Sequence, residues 1–206
     1  MLRKFVINLD RRQDRLDKFF SLNKVNFNRE NVEIIPAVDG NEIDIEEYIE
    51  RIDPEDYLMN RDKLKGVLGC NLSHFKCYEK MIKENIEYAI IMEDDLIVLD
   101  KLDKIMLLIL GSIKQKIDLL FLNYSYPKEK SNESEYKVKN YDGKLYTTEM
   151  YLISKNYASK ILKEFSDNLG ACDVLLRKMI IKKGGKIGIL DKPIGDQYDR
   201  NDSDIR

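Results

Sequence analysis

The sequence has only one histidine and three cysteines among its 206 residues. An odd number of cysteines in a chain of this size is no disulfide framework and is typical of a reducing compartment. No apolar run approaches the roughly 20 residues that a membrane-spanning helix requires. The apolar run at the N-terminus is too short for a signal peptide, and charge follows it at once. We therefore expect a cytoplasmic protein with no transmembrane segment.

Further absences exclude several classes of function. The formal net charge is only −2, whereas a protein that binds nucleic acid by charge needs a clustered basic excess. The sequence has neither a Gly-x-Gly-x-x-Gly fingerprint nor a P-loop, which argues against dinucleotide and P-loop nucleotide binding. No serine lies in a nucleophile elbow, and the lone histidine has no evident triad to complete. We expect no nucleic-acid partner, and the oligomeric state stays open.

Short apolar runs alternate with segments of helical spacing along the chain. The runs predict six buried strands, at residues 5–9, 32–37, 88–92, 117–122, 150–153 and 186–190. Helices are predicted at residues 11–22, 43–52, 71–84, 102–110, 156–165 and 174–182. Polar segments, predicted as loops or tail, cover residues 53–65, 125–143 and 192–206. This order predicts an α/β protein, with a Rossmann-like, mostly parallel sheet flanked by helices in a single domain over residues 1–206.

The most informative segment is the apolar run that ends in three adjacent carboxylates, Glu93, Asp94 and Asp95. A buried strand carries such a run, and open α/β sheets bind ligands at the carboxyl ends of their strands. Three adjacent acids repel one another unless a cation lies among them. Mg²⁺ or Mn²⁺ is usually held by one or two carboxylates together with phosphate and water oxygens. Asp94 and Asp95 are therefore predicted metal ligands, with an ordinary solvated acidic turn as the alternative.

The first predicted strand is followed by three arginines, Arg11, Arg12 and Arg15. A guanidinium group suits a diphosphate because it binds oxygens bidentately and stays charged. The N-terminus of the following helix adds backbone N–H groups that favour an anion. These features indicate a diphosphate site, with a solvated helix carrying Arg–Asp pairs as the alternative.

Cys70, His74 and Cys77 fall on one face of one predicted helix. Their spacing suggests zinc, but a zinc site needs a fourth ligand and usually draws on more than one element. Tyr78 and Met81 share the same face, which is typical of core packing. We therefore expect His74 to be a buried hydrogen-bonding residue or to lie behind the acidic triplet.

Several ordered segments resemble those of glycosyltransferase family 25, the group that contains lipopolysaccharide-core galactosyltransferases and collagen galactosyl- and glucosyltransferases. The segments extend almost from end to end: FVINLDRRQDR at residues 5–15, AVDG at 37–40, GVLGCNLSH at 66–74, AIIMEDD at 89–95, YLIS at 151–154, ACDVLL at 171–176, and a closing set with Pro193, Gln197 and SDI at 203–205. Ala171 stands where the family frequently has proline. Each segment alone would be weak, but together and in order they are specific.

The resemblance implies a GT-A fold and a metal-dependent transferase that inverts the anomeric centre. It would move galactose or glucose from a UDP-sugar to a hydroxyl of a glycan or protein, in lipopolysaccharide biosynthesis or protein glycosylation. Mn²⁺ or Mg²⁺ would lie on Asp94 and Asp95. Some relatives add a C-terminal histidine to the metal, and since no histidine follows His74 here, Gln197, Asp204 or water would replace it.

The resemblance also implies a set of donor-binding residues: Asn8, Leu9, Arg11, Arg12, Arg15, Asp39, Ser73, His74, Glu93 and Asp94. Asp173 is the first candidate for the catalytic base and Glu149 the second, although Asp173 also suits a helix N-cap. A receiver domain also has paired acids at a strand end, but it places them on the first strand of a shorter chain. The main alternative is a non-catalytic nucleotide-sugar-binding or scaffold protein that keeps the fold.

Overall fold

A seven-stranded sheet forms the centre of this computed structural model, which describes residues 2–52, 59–124, 135–141, 143 and 147–198. Its strand order is β2-β1-β3-β7-β5-β8-β6. The bounds are β1 Arg3–Asn8, β2 Glu33–Pro36, β3 Tyr88–Glu93, β5 Leu119–Asn123, β6 Val138–Asn140, β7 Met150–Ser154 and β8 Ile187–Leu190. Five strands point in one direction, and β6 and β7 run antiparallel to their neighbours. A separate antiparallel pair joins β4 Leu96–Val98 to β9 Gly195–Gln197.

Helices cover both faces of the sheet. They are α1 Gln13–Leu22, α2 Arg61–Lys83, α3 Asp103–Lys114, α4 Lys155–Phe165 and α5 Cys172–Lys183. Side chains of α2, α4 and α5 share one apolar cluster, and those of α1 and α3 share the other. The predicted α/β class, with a mostly parallel, Rossmann-like sheet flanked by helices, is confirmed. Among the described helices, none combines the length and hydrophobicity that crossing a membrane would require.

Strand β3 shows why this part of the sequence is wholly apolar. Ala89 and Ile91 pack into the cluster beneath α2, whereas Ile90 and Met92 pack into the cluster beneath α1. A strand that is buried on both faces has no position for a polar side chain. Burying a side chain of this size contributes about 1.5–3 kcal/mol relative to leaving it exposed. All six predicted strands are present with bounds shifted by a few residues, whereas β4, β6 and β9 were not predicted.

Residues 43–52 do not form the helix that their apolar spacing predicts. The segment that contains them forms three short 3-10 turns instead, Gly40–Glu42, Ile45–Glu47 and Ile49–Arg51. The Asp44 carboxylate accepts a hydrogen bond from the backbone N–H of Glu46, and Asp39 does the same for Asn41. Such local bonds compete with the hydrogen bonds of an α-helix. The helix prediction was wrong because it weighed the apolar residues and not these capping carboxylates.

Helix α2 begins well before its predicted start at residue 71. Asn60 caps it by accepting a hydrogen bond from the backbone N–H of Lys63 at 2.8 Å. Residues 61–65 therefore belong to a helix and not to the predicted loop, while residues 53–58 lie outside the described residues. Gly66 and Gly69, poor helix formers, obscured the earlier start in the sequence. The other predicted loop also contains a strand, β6, although residues 125–134 and 142 lie outside the described residues.

Two glycines allow α2 to touch the loop that follows β2. A Cβ atom on Gly69 would lie 2.7 Å from the carbonyl oxygen of Val38. One on Gly40 would lie 2.7 Å from the carbonyl oxygen of Lys65. Real Cβ atoms do not approach backbone this closely, so only glycine fits at either position. The contact brings two of the sequence motifs, at residues 37–40 and 66–74, to one edge of the sheet.

Candidate functional site

The carboxyl ends of β1 and β3 meet at that edge. The two strands are parallel neighbours, and their register places Ile7 opposite Glu93. Asn8 and Asp94, the next residue of each strand segment, therefore lie side by side. A pocket opens here and is lined by Ile7, Asn8, Leu9, Arg15, Ala37, Val38, Asp39, Gly40, Gly66, Cys70, Ser73, His74, Glu93, Asp94 and Asp95. Nine of these residues belong to the predicted donor or metal site.

Asn8, Arg15, Asp94 and Asp95 form one wall of the pocket, which we name the acidic corner. The Asn8 amide donates a hydrogen bond to Asp94 at 2.6 Å. The Arg15 guanidinium lies 2.5 Å from Asp94 and 3.4 Å from Asp95. The side chains of Arg15 and Asp94 are each only 10% exposed, so water screens this ion pair weakly. Arg15 thus forms ion pairs with both acids, and the sequence did not predict this pairing.

Two oxygens of the acidic corner have no hydrogen-bond partner among the described residues. They are Oδ1 of Asp95 and Oδ1 of Asn8, and both are buried. A buried polar atom without a partner carries a desolvation cost of about 1–3 kcal/mol. Hard cations such as Mg²⁺ and Mn²⁺ take carboxylate and amide oxygens as ligands. The residues present therefore fit such an ion.

Asp95 is also contacted by the C-terminal segment. Pairing of β9 with β4 brings Gln197 alongside, and its Nε2 donates to Asp95 Oδ2 at 3.2 Å. The backbone N–H of Tyr198 donates to the Asp95 carbonyl at 3.0 Å. Burial raises the pKa of Asp95 to about 8, and the nearby Glu93 carboxylate adds to this rise. Gln197 is therefore placed beside a predicted metal ligand, whereas Asp204 lies outside the described residues.

The other two predicted arginines lie at the rim. Arg11 forms an exposed ion pair with Asp39, and this lowers the pKa of the Asp39 carboxyl. Arg12 pairs with Asp14 at 3.1 Å, and neither residue lines the pocket. Each arginine thus has an acidic partner, as the alternative of a helix with Arg–Asp pairs predicts, and the diphosphate site stays a prediction.

Ser73 fastens the loop that follows β2 to α2. Its hydroxyl accepts a hydrogen bond from the backbone N–H of Val38 at 2.8 Å and donates to the Gly69 carbonyl at 2.6 Å. Asp39 follows in the same loop and faces the pocket. Ser73 therefore positions a wall of the pocket, with its hydroxyl engaged on both sides.

His74 of α2 and Glu93 at the end of β3 lie side by side, next to the acidic corner. The His74 Nε2 is 3.5 Å from the Glu93 carboxylate, and Thr148 donates a hydrogen bond to the same carboxylate at 3.0 Å. Burial by itself would raise the pKa of Glu93, but the nearby His74 imidazole brings it below its usual range. His74 is buried, as we expected, and hydrogen-bonds through Nδ1 to the Tyr151 hydroxyl.

The two candidate bases occupy different environments. Asp173 lies in the first turn of α5, half-buried, and burial raises the pKa of its carboxyl. The Glu93 carboxylate raises it further, so the two acids are electrostatically coupled although Asp173 does not line the pocket. Glu149 is almost fully buried and accepts a hydrogen bond from Asn123. Only Asp173 retains access to solvent.

Sequence comparison places the chain in a family. The profile described as "Glycosyltransferase family 25 (LPS biosynthesis protein)" matches residues 1–176, most of the chain. The chain belongs to glycosyltransferase family 25. The resemblance of the ordered segments is thereby confirmed, and the pocket lies between four of them.

Related proteins of this family occur in animals. A "Glycosyltransferase 25 family member" of Drosophila melanogaster is 32% identical over 173 residues, which cover 78% of this chain and 27% of that protein. Mouse procollagen galactosyltransferase 2 is 33% identical over 97 residues, covering 44% and 15%. Human procollagen galactosyltransferase 2 is 27% identical over 170 residues, covering 77% and 27%. The chain thus spans about a quarter, or less, of the length of these relatives.

Two solved structures are similar over most of the chain. The crystal structure of A197 from STIV has a TM-score of 0.48 and 12% identity, over 92% of this chain and 81% of that one. A putative glucose-1-phosphate thymidylyltransferase from Bacillus anthracis, in complex with a sucrose, has a TM-score of 0.44 and 11% identity, over 95% and 88%. Similarity at this level carries no argument about activity.

Proposed function

We propose that the chain is a GT-A-type glycosyltransferase domain that moves galactose or glucose from a UDP-sugar to a hydroxyl of a glycan or protein. Family membership supports a transferase. The observation that carries the rest is the acidic corner, where buried oxygens of Asp94, Asp95 and Asn8 face a pocket beside two strand ends. The sugar, the metal, the inverting course and the cytoplasmic location are parts of this proposal.

Asp94 and Asp95 would hold Mn²⁺ or Mg²⁺. When bound, such an ion supplies a Lewis acid that neutralises negative charge on a departing diphosphate. Gln197 donates its amide N–H to Asp95, which orients the carboxylate and leaves its own carbonyl oxygen for the same site. Arg15 holds both carboxylates in place before any ligand binds, so little reorganisation is needed.

Arg11 and Arg12 would bind the donor's diphosphate. Both lie just before α1, whose first turn presents backbone N–H groups that attract an anion. Arg11 pairs with Asp39 at an exposed position, where an ion pair is worth only about 0–1 kcal/mol. A diphosphate carries more charge than one carboxylate, so exchanging partners costs little.

Asp173 is the proposed base. In a single displacement, the acceptor hydroxyl gives its proton to the Asp173 carboxylate while its oxygen bonds to the anomeric carbon. The bond between that carbon and the diphosphate oxygen breaks, and UDP leaves with the electron pair. A carboxyl with a raised pKa is a stronger base, which suits this role. Glu149 fits less well, because it is buried and hydrogen-bonded to Asn123.

Release of UDP tests this proposal. The protein is incubated with Mn²⁺ and either UDP-galactose or UDP-glucose, with and without sugar acceptors, and free UDP is measured. Asp95→Asn should lower the rate by about 100- to 1000-fold, because it removes a carboxylate ligand of the ion that would neutralise the leaving group. Asp103→Asn is the matched control, since Asp103 is exposed in the first turn of α3. Equal rates in the two variants would exclude the metal role of Asp95.

One observation favours the alternative, a non-catalytic nucleotide-sugar-binding or scaffold protein. Arg15 already balances Asp94 and Asp95, which a binding protein without a metal would also need. Calorimetric titration with UDP separates the two possibilities. Binding of UDP with no release from any donor, with or without Mn²⁺, would favour the non-catalytic protein.

A further inference from the structure

A second group of potential metal ligands lies in the same pocket, beside the acidic corner. One donor atom from each of Cys70, His74 and Glu93 lies within 4.8 Å of the others. Cys70 and His74 stand one turn apart on α2, and Glu93 ends β3. We name these three residues the thiol–imidazole cluster. Cys77, which shares the helix face with them, is not part of it.

A hydrogen bond to one ring nitrogen fixes the orientation of the His74 imidazole, as it does in metal-binding histidines. Its Nδ1 is hydrogen-bonded to the Tyr151 hydroxyl at 2.7 Å, and that hydroxyl is bonded to the Tyr78 hydroxyl at 2.8 Å. Its Nε2 is buried, has no hydrogen-bond partner among the described residues, and faces Glu93. A metal-bound histidine usually bonds its second nitrogen to a polar group in this way, which fixes the ring and its tautomer.

The donor atoms differ in kind from those of the acidic corner. Sulfur, imidazole nitrogen and carboxylate oxygen together suit Zn²⁺, whereas Mg²⁺ and Mn²⁺ favour oxygen alone. Three protein ligands with a fourth position open are typical of zinc sites that admit water or a ligand. Here all three residues line the pocket, and Cys70 is partly exposed. A fourth ligand would therefore reach the metal from the pocket.

We propose that Cys70, His74 and Glu93 bind Zn²⁺, at a site separate from the oxygen-only acidic corner. Binding replaces the thiol proton of Cys70, which leaves to solvent, and the sulfur becomes a thiolate ligand. The geometry of the cluster carries this inference, and it holds whether or not the chain transfers sugar.

Cobalt(II) substitution tests the site without any sugar donor. The full chain is stripped of metal, kept reduced and titrated with Co²⁺, whose bond to a thiolate gives a charge-transfer band in the near ultraviolet. We expect this band in the wild type and its disappearance when Zn²⁺ is added. Cys70→Ala should abolish it. Cys77→Ala, which removes a buried thiol of the same helix, should leave it in place.

Two further variants sharpen the result. Asp95→Asn should retain the band, because Asp95 belongs to the acidic corner and its loss leaves the three ligands untouched. Tyr151→Phe should weaken Zn²⁺ binding by about 10- to 100-fold, the usual effect of removing a hydrogen bond behind a metal ligand. No band in the wild type, a band that persists in Cys70→Ala, or one that is lost in Cys77→Ala or Asp95→Asn would overturn the proposal. Loss of UDP release alone would not, since no step of this test depends on transfer.

Discussion

The two sides of the pocket keep polar groups buried by different means. In the acidic corner, Asp94 and Asp95 are held by the charge of Arg15. In the thiol–imidazole cluster, His74 is held by a chain of neutral hydroxyls that starts at Tyr151. The first arrangement tolerates like charges because a cation lies between them. The second leaves an aromatic nitrogen pointing at Glu93. The two proposals together give one pocket two cation sites with different metal preferences.

The largest expected effect on stability comes from removing the positive charge of Arg15 from the acidic corner. Without metal, Arg15→Met should lower the free energy of unfolding by about 3–5 kcal/mol, because it leaves buried carboxylates unpaired. Arg29→Met is the control, since Arg29 pairs with Asp17 at an exposed position and should cost about 0–1 kcal/mol. Denaturant unfolding in EDTA measures both. Similar losses in the two variants would show that the corner does not depend on Arg15.

On the other side of the pocket, we expect a smaller effect from a neutral hydrogen bond. Tyr151→Phe should lower the free energy of unfolding by about 1–3 kcal/mol, because it strands the His74 Nδ1 and the Tyr78 hydroxyl. Tyr88→Phe, at a half-buried position at the start of β3, should change it by less than about 0.5 kcal/mol. The comparison is made by denaturant unfolding under identical conditions. Equal free energies of unfolding in the two variants would show that the Tyr151 hydroxyl does not stabilise this part of the pocket.

The raised pKa of Asp95 predicts a pH dependence with a definite sign. Between about pH 4 and pH 8, the folded protein keeps a proton that the unfolded chain has released. Raising the pH through this window therefore lowers stability, by at most about 1.4 kcal/mol per pH unit from this group. The stability difference between wild type and Asp95→Asn, measured in EDTA from pH 5 to pH 8, isolates the contribution. A difference that stays constant with pH would contradict the shift.

The smallest effect on stability should come from the rim. Arg11→Gln removes an exposed ion pair with Asp39 and should cost no more than about 1 kcal/mol. Its effect on UDP affinity should be larger, about 10-fold or more, because hydrogen bonds to charged groups contribute about 1.5–3 kcal/mol. Calorimetric titration with UDP checks this. A variant that loses stability but binds UDP normally would assign Arg11 to the fold alone.

Local patterns in the sequence were sufficient for the six strands of four or more residues, whereas the three-residue strands β4, β6 and β9 were missed. The run before Glu93 is apolar at every position because both faces of β3 are covered, and a few residues suffice to recognise that. The same approach failed at residues 43–52, where apolar spacing was real but Asp39 and Asp44 capped short turns. The spacing of apolar residues indicates which side chains are buried. It does not indicate whether the backbone forms the hydrogen bonds of an α-helix or those of short capped turns.

The site was only partly predictable, for a related reason. All fifteen of the pocket's lining residues belong to motifs that stand out in the sequence. Gln197, which only the family resemblance placed at the metal, reaches Asp95 through the short pair β4–β9. Strands of three residues are too short to carry a recognisable period. The residues near Gln197 in the sequence therefore do not predict its contact with Asp95.

The sequence by itself determined the α/β class, the family and the acids at the end of β3, because each depends on residues that are close together in the chain. Only the tertiary structure decided which groups meet. The register that sets Ile7 opposite Glu93 brings Asn8 to Asp94, and α2 crosses the same edge with Cys70 and His74. Such partners are fixed by packing between distant segments, and their chemistry emerges only where those segments touch.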